Sequence, residues 1–267
     1  AVAQTLGFTP GVISRGYGGV AEQYPYLLND NSTSSEAGDE PILIYQRCHV
    51  PVAVGADRVA NAQLLIEQGC DVIISDDGLQ HYRLKRDLEL IVVDGKRLFG
   101  NGLLLPAGPL REGSWRLGQA DIVIYNGAKP ADTNMCTNKS LLMILAASEV
   151  VHIKTGEKVL LANFLNQQHK VNAIAGIGDP PRFFATLAAL GFSLEKQQGF
   201  IDHKDFTIDD FSQFKAGFPL LMTEKDAVKC QAFAQEHWWY LPVDAHFSKQ
   251  DEQDLQQTIQ ALTTNLR

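Results

Sequence analysis

Short apolar runs rich in β-branched residues alternate with helix-like segments along the whole chain, and this alternation constrains the fold more than any other feature. It predicts an α/β protein with mostly parallel sheets, because consecutive parallel strands need a crossover connection that is usually a helix. The runs Val72–Ser75 and Leu88–Val93 predict buried strands, and Asp57–Gln68 predicts a helix that Gly69 ends. The chain has 267 residues, enough for one large or two smaller domains.

The segments divide the chain into two lobes and a connection. Residues 1–140 are predicted to form the first lobe, and residues 171–267 a smaller C-terminal α/β lobe. Residues 141–170 between them are predicted to be an irregular or hairpin-like connecting segment, with a turn at Thr155-Gly156. The polar run Asn29–Ser35 is predicted to be loop throughout.

Charge and cysteine content exclude several classes of protein. The formal net charge is −8, which argues against a nucleic-acid binder, since such proteins are usually basic. The four cysteines form no Cys-x-x-Cys pair, so neither a zinc ribbon nor a secreted disulfide framework is indicated and a reducing compartment is expected. The longest apolar runs fall far short of the roughly 20 residues that a membrane span requires.

Two adjacent carboxylates, Asp76 and Asp77, directly follow the run Val72–Ser75. Ligands of open α/β sheets bind beyond the carboxyl ends of the strands, and carboxylate oxygens there suit Mg²⁺ that carries a nucleotide phosphate. A polar loop that merely closes a strand explains the same residues equally well. The usual phosphate loop, Gly-x-x-x-x-Gly-Lys-Ser/Thr, does not occur in the sequence, because Arg97 follows Gly95-Lys96.

Three other segments are candidates for phosphate or proton chemistry. Gly16–Ala21 fits a loose dinucleotide-binding fingerprint, but no helix pattern follows it, so a glycine-rich turn that exposes Arg15 and Tyr17 is favoured. Leu105–Glu112 is either a rigid surface turn with a solvated ion pair or a stiff loop that directs Arg111 at a phosphate. His203 follows Asp202 in a predicted loop, where a histidine is more often structural than catalytic.

Several distinctive segments occur along the chain in a fixed order. They are Ser14–Gly19, Glu36–Pro41, Ser75–Leu84, Phe99–Gly102 with Leu105–Glu112, Ala175–Gly178 with Pro181–Phe184, and Thr223–Lys229. This ordered set closely resembles the tetraacyldisaccharide 4′-kinase family, the lipid A pathway kinases of Gram-negative bacteria. The resemblance runs from about residue 7 to beyond residue 240, and it is specific as a set although no single segment is.

The resemblance implies a P-loop-NTPase-like, mostly parallel sheet flanked by helices, with a second, smaller α/β lobe. It implies transfer of the γ-phosphate of ATP, with Mg²⁺, to the 4′-hydroxyl of an acylated glucosamine disaccharide 1-phosphate, which forms lipid IVA. Family members are peripheral to the cytoplasmic face of the bacterial inner membrane, so contact with that membrane is implied too.

Site residues are carried over from the family position by position. Asp39 resembles the residue that helps to deprotonate the sugar hydroxyl, and His203 resembles its partner, an arrangement that suits proton transfer. The metal-side carboxylates implied by the resemblance are Asp76, Asp77 and Glu112. The positions suited to the phosphorylated disaccharide or the transferring phosphate are Arg15, Tyr17, Gln80, His81 and Arg111.

The family's phosphate loop, with its lysine and threonine, precedes the Ser14–Gly19 segment and has no counterpart in this sequence. We therefore expect an N-terminally truncated chain that by itself binds MgATP poorly and is nearly inactive. Two other functions remain open at this point. One is a non-catalytic module that binds an acylated sugar phosphate or a partner protein, and the other is a nicotinamide-dependent oxidoreductase that uses the Gly16–Ala21 turn.

Overall fold

The computed structural model of the chain describes residues 2–130, 139–214 and 217–264. The chain forms two compact units, each assembled from separated stretches of sequence. Unit 1 comprises Ala1–Thr9, Asp77–Ala146 and Asp244–Arg267, and unit 2 comprises Pro10–Asp76 and Ala147–Val243. The predicted division at residues 140 and 171 uses contiguous segments instead, and it stays a prediction.

Helices and strands alternate through the described residues, as the sequence pattern predicts. The helices are α1 (Val2–Thr5), α2 (Ser34–Ala37), α3 (Asp39–Cys48), α4 (Arg58–Glu67), α5 (Leu161–Gln167), α6 (Pro180–Ala189), α7 (Glu224–Cys230) and α8 (Lys249–Thr264). The first seven strands are β1 (Pro10–Ser14), β2 (Tyr26–Leu27), β3 (Val52–Val54), β4 (Val72–Ser75), β5 (Leu90–Asp94), β6 (Ile122–Asn126) and β7 (Lys139–Ala146). The other seven are β8 (Glu149–His152), β9 (Lys158–Leu160), β10 (Lys170–Ala175), β11 (Ser193–Gly199), β12 (Leu220–Thr223), β13 (Trp238–Leu241) and β14 (Asp244–Phe247).

Unit 2 contains two sheets with largely parallel strands. The four-stranded sheet has the order β2-β3-β1-β4, in which β1 is parallel to both β3 and β4. The six-stranded sheet has the order β11-β10-β12-β13-β8-β9, and its first four strands are parallel. Strands β8 and β9 form an antiparallel hairpin, and Gly156 in its turn has a φ of +71°. The predicted turn at Thr155-Gly156 is therefore confirmed.

Unit 1 contains a sheet of the order β14-β7-β6-β5. Strands β5, β6 and β7 are parallel to one another, and β14 is antiparallel to β7. The central strand β6 is buried along Ile122–Tyr125, and α8 covers it through Leu255. Both units thus have the α/β class and the mostly parallel strands that the sequence predicts.

Two local predictions are wrong for physical reasons, and for a third segment one of two predicted alternatives is confirmed. Strands β4 and β5 were expected to be buried, but each lies at the edge of its sheet, and Ile74 and Val92 are exposed. For the segment 141–170 the hairpin alternative is confirmed and the irregular one is not, because the segment contains the end of β7, the β8–β9 hairpin and α5. The run Asn29–Ser35 is not loop throughout, because α2 begins at Ser34 with a capping box between Thr33 and Glu36.

Helix boundaries follow their capping signals closely. The Asp57 side chain accepts hydrogen bonds from the backbone N–H groups of Val59 and Ala60 at the start of α4, and Gly69 follows that helix with a φ of +86°. Thr223 caps α7 in the same way.

None of the helices in the described ranges is long and apolar enough to cross a membrane.

Candidate active site

Asp39 is the first residue of α3 and lies at the N-terminus of that helix, where the backbone dipole stabilises a negative charge. Only 6% of the residue is exposed. Its Oδ2 atom lies 3.4 Å from Nδ1 of His203. The two residues that the family resemblance pairs, 164 positions apart in the chain, are therefore brought together within unit 2.

His203 lies in the loop after β11, and its backbone adopts a left-handed conformation with a φ of +57°. Such a φ is uncommon for a residue other than glycine, and strain of this kind clusters at functional sites. The Asp202 carboxylate accepts a hydrogen bond from the His203 backbone N–H at 3.0 Å, which helps to hold this turn. The turn places the imidazole beside the N-terminus of α3 and not on the surface of the loop, since the His203 side chain is only 27% exposed.

The glycine-rich turn after β1 packs directly against the start of α3. A Cβ atom on Gly19 would lie 2.5 Å from the backbone nitrogen of Gly38, and one on Gly38 would lie 2.6 Å from the carbonyl oxygen of Tyr17. Neither position has room for a side chain. The turn carries Tyr17, whose ring meets the His203 imidazole edge to face at a centroid distance of 5.1 Å. The glycines thus serve close backbone packing, and the predicted exposure of Arg15 and Tyr17 on this turn is confirmed.

Helix α7 contributes charged residues to which the sequence reading assigned no role. Lys229 Nζ lies 3.7 Å from Oδ2 of Asp39 and 3.0 Å from Oδ1 of Asp226, and its side chain is 4% exposed. Asp226 is fully buried, and its other carboxylate oxygen accepts hydrogen bonds from the Gly176 N–H and the Thr223 hydroxyl. Because opposite charges lower the cost of burial, this network keeps a cation next to Asp39.

Lys225, one turn before Lys229, contacts the same site from the other side of the imidazole. Its Nζ atom lies 3.3 Å from His203 Nε2, 3.1 Å from a Glu40 oxygen and 3.3 Å from an Asp202 oxygen. The sequence contains one signal for this arrangement: Lys225 and Lys229 are four residues apart in a helix that Thr223 caps, and residues at that spacing lie on the same helix face.

The predicted metal ligand Asp76 immediately follows β4 in unit 2. Its carboxylate accepts a hydrogen bond from the Ser14 hydroxyl at 3.0 Å, so the ends of β4 and β1 are joined there. Arg58 is buried on α4 and donates to the Asp76 carbonyl oxygen and, at 2.8 Å, to the Ser75 hydroxyl. The backbone at the end of β4 is therefore held in place by a charge-assisted network.

The boundary between the two units falls after Asp76, so Asp77 belongs to unit 1. Asp77 has a φ of +45°, and its carboxylate pairs with Arg111 at 3.0 Å. Both side chains are largely exposed, at 66% and 61%. An exposed ion pair of this kind contributes little stability, so it can be broken at little cost and each group can bind a ligand instead.

Of the remaining predicted residues of unit 1, Glu112 contacts the buried Arg116, and Gln80 contacts Glu112. Glu112 accepts a hydrogen bond from the Gln80 amide at 2.9 Å and pairs with Arg116 at 3.2 Å. Burial disfavours the charge of Arg116, but Glu89 and Glu112 outweigh that effect and raise its pKa. The Nε2 atom of His81 is buried and has no hydrogen-bond partner within the described part of the chain.

The structure thus brings together two sets of predicted residues. Unit 2 holds Tyr17, Asp39 and His203 in contact, and Arg15 is exposed on the same turn as Tyr17. Unit 1 joins Asp77 to Arg111 and Gln80 to Glu112.

Across residues 2–130, 139–214 and 217–264, no three acidic, histidine or cysteine side chains are grouped as a preformed metal site. Carboxylates still fit Mg²⁺, which takes one or two protein ligands and completes its shell with water and phosphate.

The mostly parallel α/β fold belongs to the P-loop kinase class, because a solved structure that it matches is a kinase of that fold. A crystal structure of LpxK from Aquifex aeolicus in complex with ATP has the same fold, with a TM-score of 0.77 and 27% sequence identity. The match covers 98% of this chain and 81% of that one.

Sequence comparison is more specific than the fold. A family model described as tetraacyldisaccharide-1-P 4'-kinase matches residues 1–264. The tetraacyldisaccharide 4'-kinase of Colwellia psychrerythraea is 63% identical over 252 residues, which are 94% of this chain and 74% of that protein. The enzyme of the same name from Histophilus somni is 49% identical over 257 residues, 96% of this chain and 75% of that protein. The chain belongs to the tetraacyldisaccharide-1-P 4'-kinase family.

Proposed function

We propose that this chain acts in transfer of the γ-phosphate of ATP to the 4′-hydroxyl of a tetraacylated glucosamine disaccharide 1-phosphate, which forms lipid IVA. The observation that carries the proposal is the contact between Asp39 and His203 at the N-terminus of α3. A hydroxyl is a poor nucleophile, and a positioned carboxylate that accepts its proton activates it. The family of the chain supplies the substrate class.

In this reaction Asp39 accepts the proton of the 4′-hydroxyl as the oxygen attacks phosphorus. Its Oδ2 atom faces His203 and Lys229, and we assign the sugar hydroxyl to Oδ1. His203 orients the carboxylate and stabilises the charge that changes during proton transfer. Tyr17 packs against the imidazole and limits its movement. Phosphoryl transfer depends mainly on such positioning, because the protein has little covalent chemistry to perform.

We assign Asp76 of unit 2, and Asp77 and Glu112 of unit 1, to the binding of Mg²⁺. Bound Mg²⁺ neutralises the charge on the phosphate oxygens of ATP and orients them. Asp76 is the best supported of the three residues, because Ser14 and Arg58 hold its side chain and backbone. Glu112 is the least supported, because Gln80 and Arg116 already occupy its oxygens.

Arg15, Tyr17, Gln80, His81 and Arg111 are assigned to the phosphorylated disaccharide or the transferring phosphate. Arg111 suits this role because its exposed pair with Asp77 gives way to a phosphate at little cost. The orphaned Nε2 atom of His81, among the described residues, suits a hydroxyl or phosphate oxygen. Four acyl chains keep such a substrate in a membrane, so the protein meets it at the membrane surface, on the cytoplasmic face of the inner membrane.

The test is a transfer assay with the full-length gene product, MgATP labelled at the γ-phosphate, and the tetraacyldisaccharide 1-phosphate in mixed micelles. We expect one labelled phosphate in the lipid product and no transfer to the 4′-deoxy analogue of the same acceptor. Chelation of Mg²⁺ is expected to abolish transfer, and restored Mg²⁺ to recover it. Absence of labelled lipid, or equal labelling of the 4′-deoxy acceptor, would refute the proposal.

A further inference from the structure

Lys225 is one of the residues around the Asp39–His203 pair to which the family resemblance assigns no role. Its Nζ atom lies 3.3 Å from Nε2 of His203, while Nδ1 of the same ring lies 3.4 Å from Asp39. The imidazole is therefore placed between an ammonium group and a carboxylate, with one ring nitrogen toward each. This arrangement determines which nitrogen carries the proton.

A lysine ammonium has three N–H donors and no acceptor. When it hydrogen-bonds to a ring nitrogen, that nitrogen must offer its lone pair and carry no proton. Contact with Lys225 therefore requires Nε2 to be the unprotonated nitrogen, and the single proton of a neutral ring must lie on Nδ1. Nδ1 then donates toward Asp39, whose carboxylate can only accept.

We propose that Lys225 is a positioning residue that holds His203 as the neutral Nδ1–H tautomer directed at Asp39. The proposal deepens the proposed function and rests on it for the kinetic consequence, although the tautomer itself does not depend on catalysis. In this state Asp39 is the group that receives the proton of the sugar hydroxyl. His203 is the donor that orients it.

The charges around the pair keep Lys225 in its ammonium form. Burial disfavours this charge, but Glu40, Asp202 and Asp39 together outweigh that effect and raise the pKa of Lys225. The side chain is 16% exposed, and Glu40 and Asp202 each form an ion pair with it. The other titratable groups that face the site are Tyr17 on the turn after β1 and Lys229 on α7.

Loss of the Lys225 ammonium removes the cation that opposes a second proton on His203. Asp39 and Asp202 would then favour the imidazolium, and an imidazolium paired with Asp39 makes that carboxylate a weaker proton acceptor. As the pH is lowered, a variant without this ammonium should therefore lose activity at a higher pH than the unmodified protein does.

The direct test is long-range ¹H–¹⁵N correlation NMR of the full-length protein labelled with ¹⁵N-histidine. His203→Asn assigns the signals, because asparagine tolerates the left-handed backbone at this position. At about pH 8, where a free imidazole is neutral, we expect a protonated Nδ1 and a bare Nε2 for His203. An Nε2–H tautomer, or a ring that carries both protons, would overturn the proposal whatever the kinase assay gives.

A kinetic test uses Lys225→Met, with Lys225→Arg as the conservative variant that keeps a donor-only cation. Lys225→Met is expected to lower kcat about 10-fold with little change in KM, and to move the acidic limb of the kcat profile to higher pH. Lys225→Arg should restore most of kcat and the position of that limb. Lys204→Met is the matched control, because Lys204 pairs with Asp210 and lies next to His203 in sequence.

The two tests separate failure of the inference from failure of the proposed function. If NMR shows the Nδ1–H tautomer but the protein transfers no phosphate to the disaccharide, the inference about the tautomer stands and the proposed reaction is refuted. If the Lys225→Met variant transfers phosphate with the kcat and the pH profile of the unmodified protein, the role of Lys225 is refuted.

Discussion

Nδ1 of His203 lies 3.4 Å from Oδ2 of Asp39, and in the described chain neither buried atom has a hydrogen-bond partner of good geometry. Polar atoms that are both buried and facing each other are costly to leave unpaired, so a small closing movement between them is favourable. An activated hydroxyl would meet the carboxylate at the N-terminus of α3, where the helix dipole stabilises its charge.

Replacement of His203 tests the pair from the imidazole side. We expect His203→Asn to lower kcat by roughly 10- to 100-fold with a small effect on KM, because the substituted side chain no longer orients Asp39. Asparagine is chosen because it accepts the positive φ of this position. Steady-state kinetics with the disaccharide substrate measures the change, and an unaltered kcat in a folded variant would remove His203 from the site.

Close packing of the glycine-rich turn is tested by Gly19→Ala. The added Cβ would lie 2.5 Å from the Gly38 nitrogen and 2.6 Å from the Glu36 carbonyl oxygen, both backbone atoms that cannot rotate away. We expect a loss of about 1–3 kcal/mol in the free energy of unfolding, together with lower activity, because the turn adjoins Asp39.

The control for that substitution is Gly118→Ala. No atom lies within 4 Å of a Cβ at Gly118, and its φ is not positive. Its free energy of unfolding should change by less than about 0.5 kcal/mol in the same denaturant titration. Equal stability of the two variants would show that the turn does not pack against α3 as described.

The buried network around Asp226 is expected to be a major contributor to stability. Asp226→Ala would remove the acceptor of the Gly176 N–H and leave the buried Lys229 ammonium with only its longer contact to Asp39, at 3.7 Å. We expect a loss of about 3–5 kcal/mol in the free energy of unfolding, measured by urea denaturation. Asp209→Ala, on an exposed position, is the control and should have an effect within about 0.5 kcal/mol. Similar values for both would contradict a structural role for Asp226.

The exposed pair of Arg111 and Asp77 should matter for binding and not for stability. Arg111→Met is expected to change the free energy of unfolding by less than about 1 kcal/mol, because both side chains are mostly exposed. It should raise KM for a phosphate-bearing substrate about 10-fold or more, because a bidentate donor is lost.

Lys85→Met provides the comparison for Arg111→Met, since Lys85 forms an even more exposed pair with Asp87 at 4.0 Å. This variant should leave both stability and KM unchanged. A fall in stability without a change in KM for Arg111→Met would assign Arg111 a structural role.

The sequence pattern predicts the elements of the fold well where local chemistry decides them. Strand β4 has the predicted bounds, and α4 begins directly after Asp57, the first residue of the predicted helix. Alternation of hydrophobicity and capping residues are local signals, so they can be read from one sequence. The edge positions of β4 and β5 could not be read in this way, because strand order depends on contacts between distant segments.

The candidate site is predictable only in part for the same reason. The resemblance to a family identifies Asp39 and His203, but nothing in their spacing of 164 residues predicts the 3.4 Å contact. Lys225, Asp226 and Lys229 stand in one short segment whose charges look like a solvated helix face. Only the tertiary structure shows that Asp226 is fully buried and that both lysines contact the Asp39–His203 pair.

The most direct test of the central claim is the rate of γ-phosphate transfer to the disaccharide by Asp39→Asn, compared with the unmodified full-length protein. Asparagine preserves the size of the side chain and its place at the helix N-terminus, but it cannot accept the hydroxyl proton. If Asp39 is the proton acceptor, we expect kcat to fall by about 10²- to 10⁴-fold while KM for ATP changes little, as that role requires. A folded Asp39→Asn variant with the kcat of the unmodified protein would contradict it.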